Sequence, residues 1–252
     1  MRDIRDALPS SSPITDPSSS AIAGARTLVQ STARVRLADT DRAPLISALP
    51  GGAYVAWGKR LLDLVVSFVA GVIVLPFVPF IALAVRLDSP GPLLYRSVRL
   101  GRKGRPFVFY KFRSMVVGAH ESARYVRHLN EIEGPVFKSA RDPRVTRVGR
   151  FLRRTSIDEL PQLWNVLRGD MTLVGPRPPI PEEVEAYQPW QRLRLEVKPG
   201  ITCLWQVSGR SKLGFAEWMR LDIQYIQAMS LRTDLKILLR TVPAVLSREG
   251  AY

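Results

Sequence analysis

The chain has 252 residues, with 37 Lys and Arg against 22 Asp and Glu, a net charge of +15 and one cysteine. A single cysteine, Cys203, excludes an internal disulfide framework and fits a reducing compartment; its apolar neighbours predict a buried thiol rather than a nucleophile. From Lys59 onward there are 31 basic and 17 acidic residues, so +14 of the charge belongs to that part and points to a polyanionic partner: nucleic acid, anionic lipid or a phosphorylated substrate.

Residues 1–56 are rich in Ser, Ala, Pro and Asp, with "PSSSPITDPSSS" near the start and "LPGG" near the end, and carry no sustained hydrophobic period. That composition predicts a disordered tail. Residues 57–87 contain the uncharged run Leu64–Val85, 22 residues long, which is the length of a membrane-spanning helix. Pro76 and Pro79 lie within it, and each removes a helix hydrogen bond, so a break is expected with Pro76 at its centre. Basic residues flank the run on both sides, Lys59 and Arg60 before it and Arg86, Arg96, Arg99, Arg102, Lys103 and Arg105 after it. The positive-inside bias then favours both ends on one, cytoplasmic side, in a re-entrant helix-break-helix hairpin. A kinked single span is the alternative. Residues 88–252 are long enough for one globular core.

Within that domain "RPFVFYKFRSM" alternates as a strand does, with Phe107, Phe109, Lys111 and Arg113 on one face and Val108, Tyr110 and Phe112 on the other. Lys111 and Arg113 suit a phosphate site, or else form a solvated strand end. "DPRVTRVGRFLRRTS" spaces Arg144, Arg147, Arg150, Arg153 and Arg154 as a basic helical stripe, suited to anionic lipid. "RTSIDELPQLW" follows. Ser156 and Glu159 make a capping box, Asp158 favours the helix dipole, and Leu160, Leu163, Trp164 and Leu167 form one apolar helical face ending at Gly169. Local pattern therefore explains both carboxylates as a helix start.

A short strand, "MTLV", precedes Gly175-Pro176-Arg177-Pro178, where two prolines restrict the backbone around an arginine and hold it as a phosphate clamp requires. "KPGITCLWQVSGR" ends in a Gly-Arg turn at Arg210, "FAEWMRLDIQYI" puts Asp222 on an amphipathic segment, and "LRTDLKILLRTVPAVL" is an amphipathic helix with Pro243 near its end. Trp57, Trp190 and Trp218 are core or interface anchors. The chain shows no recognition-helix pattern, zinc-ligand spacing or RNA-binding aromatic motif, so nucleic acid is not the expected partner.

Read in order, "KRLLDLVVSFVAGVIVLPF", "FVFYKFRSM", "DPRVTRVGRFLRRTSIDELPQLWNVLRGDMTLVGPRP", "KPGITCLWQVSGR" and "LDIQYI…SLRTDLKILLRT" resemble the signatures of the bacterial sugar transferases, the monotopic phosphoglycosyl transferases. The resemblance runs from about Trp57 to Val245 and does not include the N-terminal multi-span domain of larger members. It implies an α/β, mainly helical fold: a monotopic membrane protein with a re-entrant hairpin, amphipathic interface helices and a small strand element. The implied place is the cytoplasmic face of the bacterial inner membrane. The implied reaction moves a sugar-1-phosphate from a UDP-sugar to polyprenyl phosphate, releasing UMP, as the priming step of exopolysaccharide or glycan assembly. Anionic lipid and a homo-oligomeric copy are further expected partners.

By resemblance, the family's acidic dyad falls on Asp158 and Glu159, with Asp158 as nucleophile and Mg²⁺ ligand. The strand lysine falls on Lys111, the Pro-Arg-Pro arginine on Arg177, the Gly-Arg arginine on Arg210 and a later aspartate on Asp222. Where members often carry Ser-Pro at the membrane break, this chain has Leu75-Pro76, which keeps the proline and loses the serine hydroxyl. "QVSGRSKLGF" is similar to members that handle hexoses such as glucose or galactose. A membrane-tethered nucleic-acid-binding or scaffold protein shares the basic charge and the hairpin, but has no use for carboxylates in a cationic setting.

Overall fold

The computed structural model describes residues 50–209 and 213–247. The tail expected over 1–56 therefore lies outside the described residues as far as position 49, and Arg210 lies outside them as well.

The apolar run becomes two helices, α1 (Lys59–Val74) and α2 (Val78–Asp88), led by a π-helical turn at Tyr54–Gly58 that starts ahead of the Trp57 boundary composition predicts. A single 3₁₀ turn, Leu75–Phe77, joins them, and its flanking dihedrals stay helical, with Val74 at φ −77, ψ −31 and Phe77 at φ −87, ψ −15. The break is milder than two central prolines predict because each proline sits in the first turn of a new segment, where no donor is needed from it. Together Tyr54–Asp88 forms one long apolar helical element of 35 residues.

Both arms pack on the same globular body, and the part between them does not. α1 lies on α4 (Gln162–Arg168), α2 lies on α3 (Arg147–Arg154), and Phe68, Val72, Ile73, Leu75 and Phe77 stay exposed. The docking is polar at every end. Arg60 donates to the last carbonyls of α4, Val166 O and Leu167 O at 2.8 Å for the latter, and so satisfies acceptors that a helix C-terminus leaves open. Asp88, at the end of α2, accepts the Val148 N–H at 2.8 Å in the first turn of α3. Asp63 is 3% exposed and accepts from the Thr172 hydroxyl and the Leu173 N–H, each at 2.8–2.9 Å. Lys59 reaches Val174 O at 2.8 Å and Asp234.

The globular body is built on two small sheets. β1 (Leu94–Leu100) and β2 (Pro106–Phe112) are antiparallel from Leu94↔Phe112 to Leu100↔Pro106. β3 (Thr172–Val174) and β4 (Gly200–Thr202) are parallel, paired Thr172↔Gly200 and Val174↔Thr202. A Cβ on Gly200 would stand 2.1 Å from Gly175 N, so the crossing of these two segments requires glycine. β2, α4 and β3 then meet α6 (Phe215–Gln227) and α7 (Leu231–Leu246) in one core centred on Phe109, Val166, Met171, Tyr225 and Ile237. A one-turn helix, α5 (Pro181–Glu185), follows the Pro-Arg-Pro loop.

α7 buries Asp234 and Ile237 and exposes Leu235, Leu239, Val242 and Leu246, as an amphipathic interface helix does. Phe151 on α3 and Trp164 on α4 are also more than half exposed. The chain is thus mainly helical with a small strand element and one long apolar helix, consistent with a monotopic membrane protein. The basic stripe forms only in part: Arg147, Arg150 and Arg154 are exposed, while Arg144 lies before α3 and is buried against Asp142 at 2.7 Å.

Replacing Asp63 with Ala leaves the Thr172 hydroxyl and the Leu173 N–H buried without an acceptor, at a cost of about 1–3 kcal/mol. For a chain of this size that corresponds to a fall of roughly 2–10 °C in the unfolding midpoint. Thermal unfolding in micelles is expected to show this for Asp63→Ala and no change for Val72→Ala, on the exposed part of α1; equal midpoints would remove Asp63 as an anchor.

Candidate active site

Asp158 and Glu159 do not begin a regular helix. α3 ends at Arg154, Ser156 takes the left-handed conformation (φ 56, ψ 15) without a side-chain cap, and Ile157–Glu159 form one 3₁₀ turn before α4 starts at Gln162. The expected capping box is therefore absent. Pro161 has no N–H to give to Ile157 O, so the 3₁₀ turn does not run on as an α-helix, and regular hydrogen bonding restarts at Gln162, beyond the carboxylates. Asp158 accordingly lies upstream of the α4 dipole instead of inside its first turn.

The bend turns Asp158 inward, where it is 5% exposed, and leaves Glu159 half-buried. Lys111, the last inward cation on β2, donates to Glu159 Oε1 at 2.6 Å and stands 3.6 Å from Asp158 Oδ2. Its position depends on Asn165, fully buried on α4, which accepts from Tyr110 N–H at 3.2 Å and donates to Val108 O at 2.7 Å, pinning β2 over the turn. Arg153 adds a second cation, held by an Nε bond of 3.0 Å to the Ser114 hydroxyl. α3 approaches closely enough for this because Gly149 lies against Ser114, where a Cβ would fall 2.0 Å from the carbonyl oxygen. Burial pushes the Asp158 carboxyl above its ordinary range and Glu159 adds to that; Lys111 and Arg153 pull it back.

A second charged cluster forms around Asp222, which lies on the buried face of α6 and is fully enclosed. Arg194 meets it at 2.6 Å as an ion pair without the alignment of a hydrogen bond, and also donates to the Tyr187 hydroxyl and Arg177 O. Arg177 itself forks onto Glu183 at 3.1 and 3.2 Å and stays 31% exposed, while Arg99 on β1 braces its loop through Pro178 O at 3.2 Å. Cys203 is buried, and its thiol is pushed up by burial first and by Asp222 next.

Of the residues expected at the site, Asp158, Glu159 and Lys111 come together, and Arg177 and Asp222 share the neighbouring cluster. Arg113 does not join either. Its guanidinium is buried on the end of α2, donating to Val85 O, Ser89 O, Pro90 O and the Ser89 hydroxyl, so this cation anchors the membrane segment instead of facing a phosphate. The strand ends at Phe112, and the alternation that paired Arg113 with Lys111 ends with it. Sequence reasoning missed Asn165, Arg153 as a neighbour of Asp158, and Arg194. A polar residue on the face opposite Leu163 and Leu167 gives no signal that it is buried.

Among the described residues no group of three or more His, Cys, Asp or Glu side chains is arranged to enclose a metal ion. Asp158 and Glu159 make a two-carboxylate set, which fits a Mg²⁺ that arrives on a diphosphate, since Mg²⁺ takes one or two carboxylates and completes its shell with phosphate oxygens and water.

Residues 54–248 match the family described as bacterial sugar transferase. The chain is 47% identical over 195 residues to a galactosyl transferase of Streptococcus agalactiae, covering 77% of this chain and 43% of that one. It is 43% identical over 198 residues to an undecaprenyl-phosphate galactose phosphotransferase of Salmonella typhimurium, covering 77% and 41%. It is 44% identical over 222 residues to a UDP-glucose:undecaprenyl-phosphate glucose-1-phosphate transferase of Caulobacter vibrioides, covering 82% and 78%. The chain thus spans about two fifths of the length of the first two and most of the third.

Burial pushes the Asp222 carboxyl up to about 6 from 3.8, against the pull of Arg194. Between those values the folded chain holds a proton that the unfolded chain has released, so this group's contribution to stability falls as pH rises through the window and is constant above it. Denaturant unfolding from pH 4 to 7 is expected to show that decline relative to Asp222→Asn, which lacks the proton exchange; parallel profiles would contradict it.

Proposed function

The chain belongs to the bacterial sugar transferase family, and within it we propose that this protein transfers a hexose-1-phosphate from a UDP-sugar to polyprenyl phosphate, releasing UMP. Supporting the sugar class, relatives named for galactose and for glucose match at comparable identity. The observation that carries the reading is a buried, ionisable carboxylate, Asp158, kept under Lys111 and Arg153 within the family's region of match. A structural ion pair would need neither a second carboxylate nor a second cation at one turn.

In the first half-reaction an Asp158 carboxylate oxygen forms a bond to the phosphorus that bears the sugar, and the bond from that phosphorus to the bridging oxygen breaks, so UMP leaves with the electron pair. In the second, a phosphate oxygen of the lipid attacks the same phosphorus and Asp158 departs as a carboxylate. Covalent storage lets one site meet a soluble and a membrane substrate in turn. An anion attacking a diphosphate requires cations on the phosphoryl oxygens, which is the task proposed for Lys111, Arg153, Arg177 and Arg210. Mg²⁺ held by Asp158 and Glu159 would add charge neutralisation there when bound. Glu159 keeps Lys111 in place through its 2.6 Å contact.

We further propose that Tyr54–Asp88 re-enters the cytoplasmic leaflet, exposing the residues around Leu75–Phe77 to lipid while both arms stay on the domain; this places the reaction at headgroup level. The polar docking at both ends supports it, because a transmembrane crossing would carry one end away from the body it contacts. Cysteines introduced in the tail and after Arg105 are both expected to resist an impermeant thiol reagent in intact cells. Opposite labelling would reject re-entry.

The chemistry has its own test. Incubation with a labelled UDP-sugar and no lipid acceptor is expected to leave a phospho-sugar adduct on the peptide containing Asp158, and Asp158→Asn is expected to lose at least a thousandfold in transfer with its unfolding midpoint retained. Full activity in Asp158→Asn would reject the nucleophile role.

A further inference from the structure

Between α4, β4 and α7 lies a cavity of about 220 Å³ that touches the dyad on one side only. Glu159 and Ser156 stand there, and Leu160, Leu163, Ile201, Val207, Ala244 and Val245 supply the apolar remainder. Most of the other polar atoms in its wall are engaged within the fold. The Thr155 hydroxyl donates to Phe151 O at 2.9 Å, the Thr202 and Thr241 hydroxyls bond each other at 2.8 Å, and Gln206 Oε1 accepts the Cys203 N–H at 3.0 Å. Away from Ser156, Glu159 and the Gln206 amide, the cavity therefore presents mostly carbon atoms to whatever enters it. A sugar or a uracil carries more hydroxyl or amide groups than those few partners can meet, and each one left over bears a desolvation penalty. A branched hydrocarbon with a polar group at one end meets no such penalty.

The walls also lead to the surface from which such a molecule comes. Trp164, 56% exposed, follows directly on Leu163, and Val242 and Leu246, 59% and 74% exposed, flank Ala244 and Val245 on α7. An engineered cavity of about 150 Å³ lined by aliphatic side chains holds benzene. The cavity here has 220 Å³, room for a five-carbon isoprene unit.

We propose that this cavity seats the first isoprene of the lipid acceptor, with the acceptor's phosphate at the Ser156 and Glu159 end. This rests on the transfer reaction proposed above and assigns its acceptor a place. The Lys111 contact to Glu159 offsets the one negative charge that would otherwise repel the phosphate. Seated so, the acceptor approaches the dyad from the α7 side, and the partly exposed Arg177 is left to the nucleotide.

The experiment separates the two half-reactions in the full chain, in nanodiscs. Ala244→Leu adds bulk to the cavity on an exposed-face helix that leucine suits. It is expected to raise KM for polyprenyl phosphate at least tenfold while adduct formation from the UDP-sugar without lipid stays within twofold of wild type. An unchanged KM, or an equal loss in both half-reactions with the unfolding midpoint retained, overturns the proposal. Because the variant could misfold, the wild-type protein is also labelled with farnesyl phosphate carrying a diazirine on its first isoprene. Label on the peptide containing Ala244 and Val245, competed by polyprenyl phosphate and not by UMP, is the expected result; label confined to Phe68–Phe77 overturns it. Absence of any transfer by wild type with every UDP-sugar would instead defeat the underlying reaction, and so is told apart.

Discussion

Arg113 fixes the distance between the acidic dyad and the end of the apolar helix. It follows Phe112 and Lys111 on β2, and these three consecutive side chains go to three places: Lys111 to the acidic dyad, Phe112 into the core against Val85 and Leu152, and Arg113 onto the terminal carbonyls of α2. Hydrogen bonds from a charged donor contribute about 1.5–3 kcal/mol, more than most neutral ones, and the Ser89 and Pro90 carbonyls it takes lie past the last bond of α2, which Ser89 N–H makes to Val85 O. One extended segment thereby ties the end of the apolar helix to the carboxylates. An extended strand rises about 3.3 Å per residue, so the two attachment points lie within a few ångströms of each other along the strand and cannot drift apart without breaking the β1–β2 register.

The same accounting changes what the basic composition means. A net +14 from Lys59 onward points to a polyanionic partner, yet several of these cations are committed inside the fold. Arg60 and Arg113 close helix ends, Arg144 is paired with Asp142, and Arg194 with Asp222. Buried cations with partners contribute little to an external field. Among the cations that stay outward, Arg147, Arg150 and Arg154 stand on α3 beside Phe151, and Arg232, Lys236 and Arg240 stand on α7 beside Leu235 and Leu239; that mixture of charge and apolar surface suits an anionic interface.

Periodic features were legible in the sequence. The alternation of Phe107, Phe109 and Lys111 and the apolar face of α7 follow from side-chain spacing alone, and the five ordered motifs carried the family. Features set by distant partners were not. β1 and β4 lack a pattern of their own, and β4 exists because Gly200 lets its backbone meet Gly175. The capping box at Ser156 and Glu159 fits local rules, but Pro161 restarts the helix downstream and the serine goes left-handed. Arg113 continues an alternation whose strand has ended, so its charge turns to the α2 carbonyls. Asn165 and Arg194 are polar residues whose burial only the tertiary contacts reveal.

Replacement of the helix start by a bend also changes how the dyad works. A carboxylate in the first turn of a helix is stabilised by the dipole, typically by 0.3–1 kcal/mol, which makes it a weaker base and a poorer nucleophile. Asp158 lacks that stabilisation because α4 begins beyond it, and burial raises its carboxyl instead. Its charge is balanced by Lys111 and Arg153, side-chain cations held in place by Glu159 and by the Ser114 hydroxyl, and not by a backbone dipole. The left-handed turn at Ser156, which costs roughly 1–2 kcal/mol for a residue other than glycine, is thus the local strain that sets Asp158 apart from α4. Strain at that one residue leaves the Asp158 carboxyl facing side-chain cations, the setting that the proposed attack on a diphosphate calls for.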